Sequence, residues 1–191
     1  IKRVEILAAV PRPGYVGIPL VAMASLLWLA AELVDIRVGQ QLAFVLVLQG
    51  VALSALGFSL YRRLFPVMAL LFFMVPCGDV IQPLLRDLTV RWIEWFALLV
   101  GLPCQVEGYV LNIGANRYVV VDACSGLTFF TLASFLGYSF GLMLYRSLPG
   151  VLAMAALGAA LGVLTNALRV CLIVGVDWLN GSQMDMAAHS D

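Results

Sequence analysis

A chain of 191 residues that is 63% hydrophobic and 12% charged departs from soluble domains, where those shares run at roughly 45–50% and 25%. Much of its surface must therefore face lipid. A net charge of zero leaves no basic footprint for nucleic acid, and four cysteines with no C-x-x-C spacing offer neither a metal site nor a disulfide framework, so no metal or cofactor is expected.

The first residue is Ile1 and the last, Asp191, follows a polar stretch, which reads as a fragment of a longer membrane protein. Lys2 to Arg12 lacks the apolar core and small-residue cleavage site of a signal peptide. The expected fold is an all-α polytopic membrane protein forming one transmembrane domain, with a short β-hairpin outside the membrane.

The first span is predicted over 15–34, apolar apart from Ser25 and Glu32 and of the roughly 20 residues a crossing needs. A polar break over 35–41 precedes a second span over 42–60, closed by Tyr61-Arg62-Arg63. Adjacent arginines beside a span mark the cytoplasmic side. A third span is predicted over 66–85, interrupted at Pro76-Cys77-Gly78-Asp79. Residues 86–102 carry Arg91 and Glu94 among Trp92, Trp95 and Phe96, and are expected to lie in the outer interface with the tryptophans at headgroup level.

Val106 to Ile113 and Arg117 to Asp122 have strand character, with Gly114-Ala115-Asn116 as the turn between them; a hairpin is expected over 103–122. The fourth and fifth spans are predicted over 125–145 and 149–176, with Arg146 in the short inner loop. Cys124 to Arg146 covers roughly 33 Å at helical rise, one bilayer core. The two spans are antiparallel, so Cys124 and Arg169 emerge at the same outer face. Gly137 with Gly141, and Gly158 with Gly162, are small-xxx-small pairs at matching depth, a pattern that lets helix backbones approach closely.

The chain is organised around Val121-Asp122-Ala123-Cys124-Ser125-Gly126-Leu127, where a soluble strand-like segment meets a long apolar helix. A thiol at that boundary reaches solvent while its neighbours are held, which suits a nucleophile; the chemistry needs thiolate. Ser125 and Gly126 are expected to leave the approach uncrowded, and the free N–H groups of the next helix favour an anion. A half-buried packing cysteine is the bland alternative. Asn166 and Arg169 lie at i and i+3 on one helix face. Arg169 could snorkel to the interface or pair with Asp177, but ionisable residues within spans default to a functional reading, with Asn166 orienting the arginine. The single histidine, His189, follows Asn180-Gly181-Ser182, read as the end of the fifth span, and would lie at the same face. Cysteine, arginine and histidine together are the parts of thiol-based acyl transfer: attack, oxyanion stabilisation and proton shuttling.

Ala-Cys-Ser-Gly-Leu at 123–127, Asn-x-x-Arg at 166–169 and the following His189 resemble the exosortase/archaeosortase family. Val75-Pro76, Leu102-Pro103 and the Gly108-to-Ile113 segment are similar to its pattern too, and the likeness covers roughly 60–191. The resemblance implies a transpeptidase of the cytoplasmic membrane, with its active site on the extracytoplasmic face. It implies cleavage of C-terminal sorting signals, each a motif, a transmembrane helix and a basic tail, and transfer of the protein to an envelope glycan or lipid acceptor. It also implies Cys124 as nucleophile with Arg169 and His189 as partners, supported by Asn166, Ser125 and Gly126. The family's histidine commonly precedes a further helix, whereas here the chain stops two residues later. Other classes remain open on the residues alone: a non-catalytic membrane subunit of polysaccharide or lipid export, a transporter, for which no internal repeat is visible, and a redox protein bridging Cys104 and Cys124.

Overall fold

The structure is a computed structural model that describes residues 14–75, 78–114 and 116–188. It divides into two compact units, Ile1–Cys77 with Tyr138–Met154, and Gly78–Gly137 with Ala155–Asp191. Among the described residues, Arg37–Met74, Asp122–Leu144 and Leu148–Leu179 are long and apolar enough to cross a membrane, and Gly17–Leu33 is a shorter apolar helix. The protein is a multi-pass helical membrane protein, and its described residues include one small sheet.

In the first unit, α1 (Gly17–Leu33) packs on α2 (Arg37–Met68) through small residues. A Cβ on Gly17 would strike the carbonyl oxygen of Gly50, and one on Gly50 would come within 2.7 Å of a Val21 methyl. The connection between the helices is shorter than expected. Asp35 closes α1 at φ 53°, a left-handed conformation that a short polar side chain tolerates, and Ile36 N–H returns to the Ala31 carbonyl.

The expected second span, 42–60, and third span, 66–85, both require correction. Gly57 sits at φ 76°, ψ 158° inside α2, a region open essentially to glycine alone, and it breaks the helix. Across the break, Gln49 donates to the Met68 carbonyl at 2.8 Å, and Tyr61 donates to the Gln49 side chain at 2.9 Å. In one straight helix, Gln49 and Met68 would stand roughly 28 Å apart, so the chain reverses at Gly57 and its two arms lie side by side. The return arm runs into a 3-10 segment, Ala69–Met74. There the Tyr138 hydroxyl donates to the Pro66 carbonyl at 2.8 Å. Residues 66–74 thus belong with α2, and 78–85 begin the next helix.

That helix, α3 (Gly78–Val100), opens the second unit, and the helix expected over 86–102 forms its C-terminal part. Val90, Ile93 and Ala97 fall on one of its faces and enter a core with Leu102, Leu111, Ile113, Val120, Val170 and Val174. The expected hairpin over 103–122 is a three-stranded antiparallel meander: β1 (Cys104–Glu107), β2 (Val110–Ile113) and β3 (Asn116–Val119). Gly108, at φ 63°, turns the chain between Glu107 and Val110, splitting the single strand expected over Val106 to Ile113. Leu111 and Ile113 point into the core at 0% and 1% exposure, so β2 anchors the sheet.

A short 3-10 turn, Asp122–Cys124, leads into α4 (Leu127–Leu144), and α5 (Leu148–Ala188) follows. The α5 helix continues through Asn180-Gly181-Ser182, where its end was expected, so the predicted 149–176 span is too short. The glycine pairs do pack. A Cβ on Gly158 would strike the Ala133 carbonyl and reach the Gly137 Cα at 3.3 Å, and one on Gly162 would meet the Phe129 carbonyl at 2.5 Å.

Replacing Gly57 by alanine forces a side chain into a glycine-only conformation, a cost of about 1–3 kcal/mol. Thermal unfolding in detergent should show a clear loss of Tm for Gly57→Ala. Gly14→Ala, where a Cβ meets nothing within 4 Å, should leave Tm unchanged. Equal Tm values for the two would remove the reversal at Gly57.

Candidate functional site

Cys124 ends the 3-10 turn between β3 and α4, and its N–H bonds to the Val121 carbonyl at 2.8 Å. It is half-buried, a free thiol, and packs against the edge of the second unit's core. Two polar arrangements in the same unit hold the chain on either side of it.

The first begins at Arg86 on α3. Its Nε donates to the Val120 carbonyl at 2.6 Å, and Nη1 lies 2.9 Å from Asp122 Oδ1. The guanidinium stacks 3.8 Å above the Tyr109 ring, and Val120 N–H bonds back to the Tyr109 carbonyl. Arg86 therefore ties the exit of the sheet to α3. The ion-pair leg is weak by itself, since the Asp122 side chain is 71% exposed and exposed pairs contribute little. The charge-assisted bond to the Val120 carbonyl and the stacking are the firmer links. Gln82, Pro83, Arg86, Tyr109 and Asp122 line a polar cavity of about 260 Å³ two residues from Cys124 along the chain. A larger cavity of about 730 Å³ lies in the first unit, lined by Trp28, Phe44, Leu71 and Met74 among others. Its walls are mostly apolar, unlike those of the smaller cavity.

The second arrangement is buried. Asn166 Nδ2 on α5 donates to the Cys124 carbonyl at 3.1 Å and to Thr89 Oγ1 at 3.3 Å. Thr89 Oγ1 also lies 2.9 Å from the Leu85 carbonyl and 3.4 Å from the Ser125 carbonyl. Asn166 and Thr89 are 2% and 4% exposed. The Cys124 carbonyl can only accept, which fixes Nδ2 on that side. Gly126 lies against the same amide at φ 85°, where a Cβ would fall 2.6 Å from Nδ2.

These contacts revise three expectations. Ser125 and Gly126 do not border an open approach. Both are buried, with Ser125 Oγ accepting from Leu127 N–H at 3.4 Å. Asn166 does not orient Arg169: Nδ2 faces Cys124 and Thr89, while Oδ1 is buried with no hydrogen-bond partner. Arg169 does not pair with Asp177, whose carboxylate accepts from the Tyr118 hydroxyl at 2.6 Å and the Asn116 amide at 3.4 Å. Burial, and then the bond to Asp177, push the Tyr118 phenol up.

Arg169 is exposed one turn beyond Asn166, its Cζ 5.7 Å from the centre of the Phe129 ring at the start of α4. Asn166 is thus brought directly to Cys124, and Arg169 to the first turn of the helix that Cys124 precedes. His189 lies outside the described residues. Among those residues no cluster of three or more histidine, cysteine or carboxylate side chains could hold a metal. Cys104 and Cys171 are also free. Burial, then the Glu94 carboxylate, push the Cys104 thiol up.

Arg86 and Thr89 were not among the residues singled out from sequence. A signal existed, because Gln82, Arg86 and Thr89 recur at i, i+4 and i+7, a polar stripe on one helix face.

Comparison with curated proteins and with solved structures returned no match. The family model for transmembrane exosortases matches residues 1–190, nearly the whole chain and including the Cys124 turn, Asn166 and Arg169. The chain belongs to the transmembrane exosortase family.

Proposed function

We propose that the protein is a cysteine-dependent transpeptidase of the cytoplasmic membrane that cleaves C-terminal sorting signals on the extracytoplasmic side. The observation that carries this reading is the Cys124 turn, clamped through its own carbonyl by a buried amide in a chain of the exosortase family. A nucleophile is effective when its backbone is immobile and its thiol open, and a half-buried cysteine on such a turn meets both needs.

The Cys124 thiolate attacks the scissile carbonyl carbon, forming the C–S bond and moving an electron pair onto oxygen. The Arg169 guanidinium stabilises that oxyanion. Collapse breaks the C–N bond, and the leaving amine takes the proton that His189 removed from the thiol. A thioester remains. An envelope glycan or lipid nucleophile, or water, then attacks it, passes its proton through His189 and releases the thiol. The Phe129 ring beneath Arg169 supports the guanidinium by a cation–π contact. The substrate carries a short motif, a transmembrane helix and a basic tail.

Cys124→Ser should insert and still bind the uncleaved precursor but not process it, because a hydroxyl of similar size is a poor nucleophile. Cys77→Ala, Cys104→Ala and Cys171→Ala should process it. Cys104 should also react slowly with a mild thiol reagent at neutral pH, since burial and Glu94 both disfavour its thiolate. Normal processing by Cys124→Ser would remove Cys124 as the nucleophile.

Arg169→Lys should lose roughly 10²–10³ in rate, the usual cost of an oxyanion donor, because lysine lacks the planar fork. A near-wild-type rate would reduce Arg169 to an interfacial charge.

Sidedness follows from the arginines at 62, 63 and 146. Introduced cysteines over 103–123 should label with an impermeant reagent from outside intact cells, and those over 62–65 or 146–148 should not. Labelling of 62–65 from outside would invert the arrangement.

A further inference from the structure

The polar residues of α3 have no part in the chemistry described above, yet they flank the nucleophile's backbone. Arg86 holds Val120 and Asp122. One turn further along the same helix face, Thr89 lies under Cys124 and Ser125. Thr89 has a single hydroxyl proton, and its nearest acceptor is the Leu85 carbonyl at 2.9 Å. Its oxygen is then left to accept from Asn166 Nδ2. The amide's other proton goes to the Cys124 carbonyl.

Asn166 Oδ1, by contrast, has no partner. A buried amide with one unmet acceptor is destabilised and has reason to turn over. Turning would place Oδ1 against the Cys124 carbonyl, oxygen facing oxygen. The Thr89 oxygen supplies the second anchor that opposes rotation. Gly126 lies so close that even a Cβ there would collide with the amide.

From this geometry we infer that Thr89 is a positioning residue for Cys124. Its hydroxyl locks the Asn166 amide in the orientation that grips the Cys124 carbonyl, and so fixes where the thiol stands. The inference rests on the reading of Cys124 as nucleophile. Thr89 is itself buried and meets no substrate, so its removal should slow the chemical step without weakening binding.

The test uses the full chain reconstituted in liposomes with a purified precursor bearing a motif, a transmembrane helix and a basic tail. Single-turnover processing is followed against enzyme concentration. Thr89→Val keeps the shape and removes the hydroxyl. Its maximal rate should fall roughly tenfold or more, the equivalent of one lost buried hydrogen bond, with the half-saturating concentration unchanged. Thr89→Ser, which restores the hydroxyl, should recover most of the rate. Complete alkylation of Cys124 by N-ethylmaleimide, with the other three cysteines replaced by alanine, reports an intact and accessible thiol in each variant. If valine prevents insertion, Thr89→Ala against Thr89→Ser makes the same comparison between two smaller side chains.

A wild-type rate in Thr89→Val, a serine variant as slow as valine, or a change confined to half-saturation would each overturn the role. Cys124→Ser is assayed in parallel. If it is dead while Thr89→Val is fully active, only the positioning role falls. If it processes the precursor, the nucleophile reading falls and the positioning role with it.

Discussion

The second unit depends on one carboxamide. Asn166 is almost wholly inside the protein, yet it meets groups on two other segments: Thr89 on α3, and the Cys124 carbonyl and Cβ-less face of Gly126 on the turn before α4. In a low-dielectric interior each such bond is stronger than in water, and each unmet polar atom is correspondingly costly. The site accepts that cost at Oδ1 while one amide proton holds the turn that carries the thiol and the other holds Thr89 on α3. Val170 and Val174, on the next turns of α5, carry the same helix into the second unit's core. Asparagine and glycine are thus matched: a larger residue at 126 would displace the amide, and a shorter one at 166 would release the turn.

The small sheet serves the same end from the other direction. A three-stranded meander of four-residue strands has little independent stability. Here β2 is pinned into the core by Leu111 and Ile113, and β3 is tied to α5 through Tyr118 and Asp177. Arg86 then captures the Val120 carbonyl and the Asp122 carboxylate just ahead of Cys124. The sheet is best understood as a rigid arm whose free end is delivered to α3, with Asn166 securing the next residues.

The residues whose chemistry is local were legible in the sequence. Cys124 stands out because strand character stops and a long apolar run begins beside it. Asn166 stands out as an amide within a span, although its partner was misassigned, because i, i+3 spacing places it near Arg169 without revealing which way the amide turns. The glycine pairs at 137/141 and 158/162 were readable because small residues at that interval have one common use. Gly57 and Gly108 were not. A glycine in an apolar run reads equally as helix interior or break, and only the tertiary bonds of Gln49 and Tyr61 settle the first case. Arg86 and Thr89 were missed because 78–100 had been divided at residue 86, so their shared stripe with Gln82 was split between two supposed elements.

The reversal at Gly57 carries a consequence for how the protein is made. The Tyr138 hydroxyl that bonds to the Pro66 carbonyl lies 72 residues downstream. At translation rates of about 5–20 residues per second, that hydroxyl emerges roughly 4–14 s after its acceptor. During this interval the return arm has Gln49 for company but lacks the partner that α4 will bring. A carbonyl at membrane depth needs a partner from protein or trapped water, so the arm must wait beside the insertion machinery or hold water until α4 arrives. The first unit therefore closes late in synthesis, when the chain has already passed Cys124.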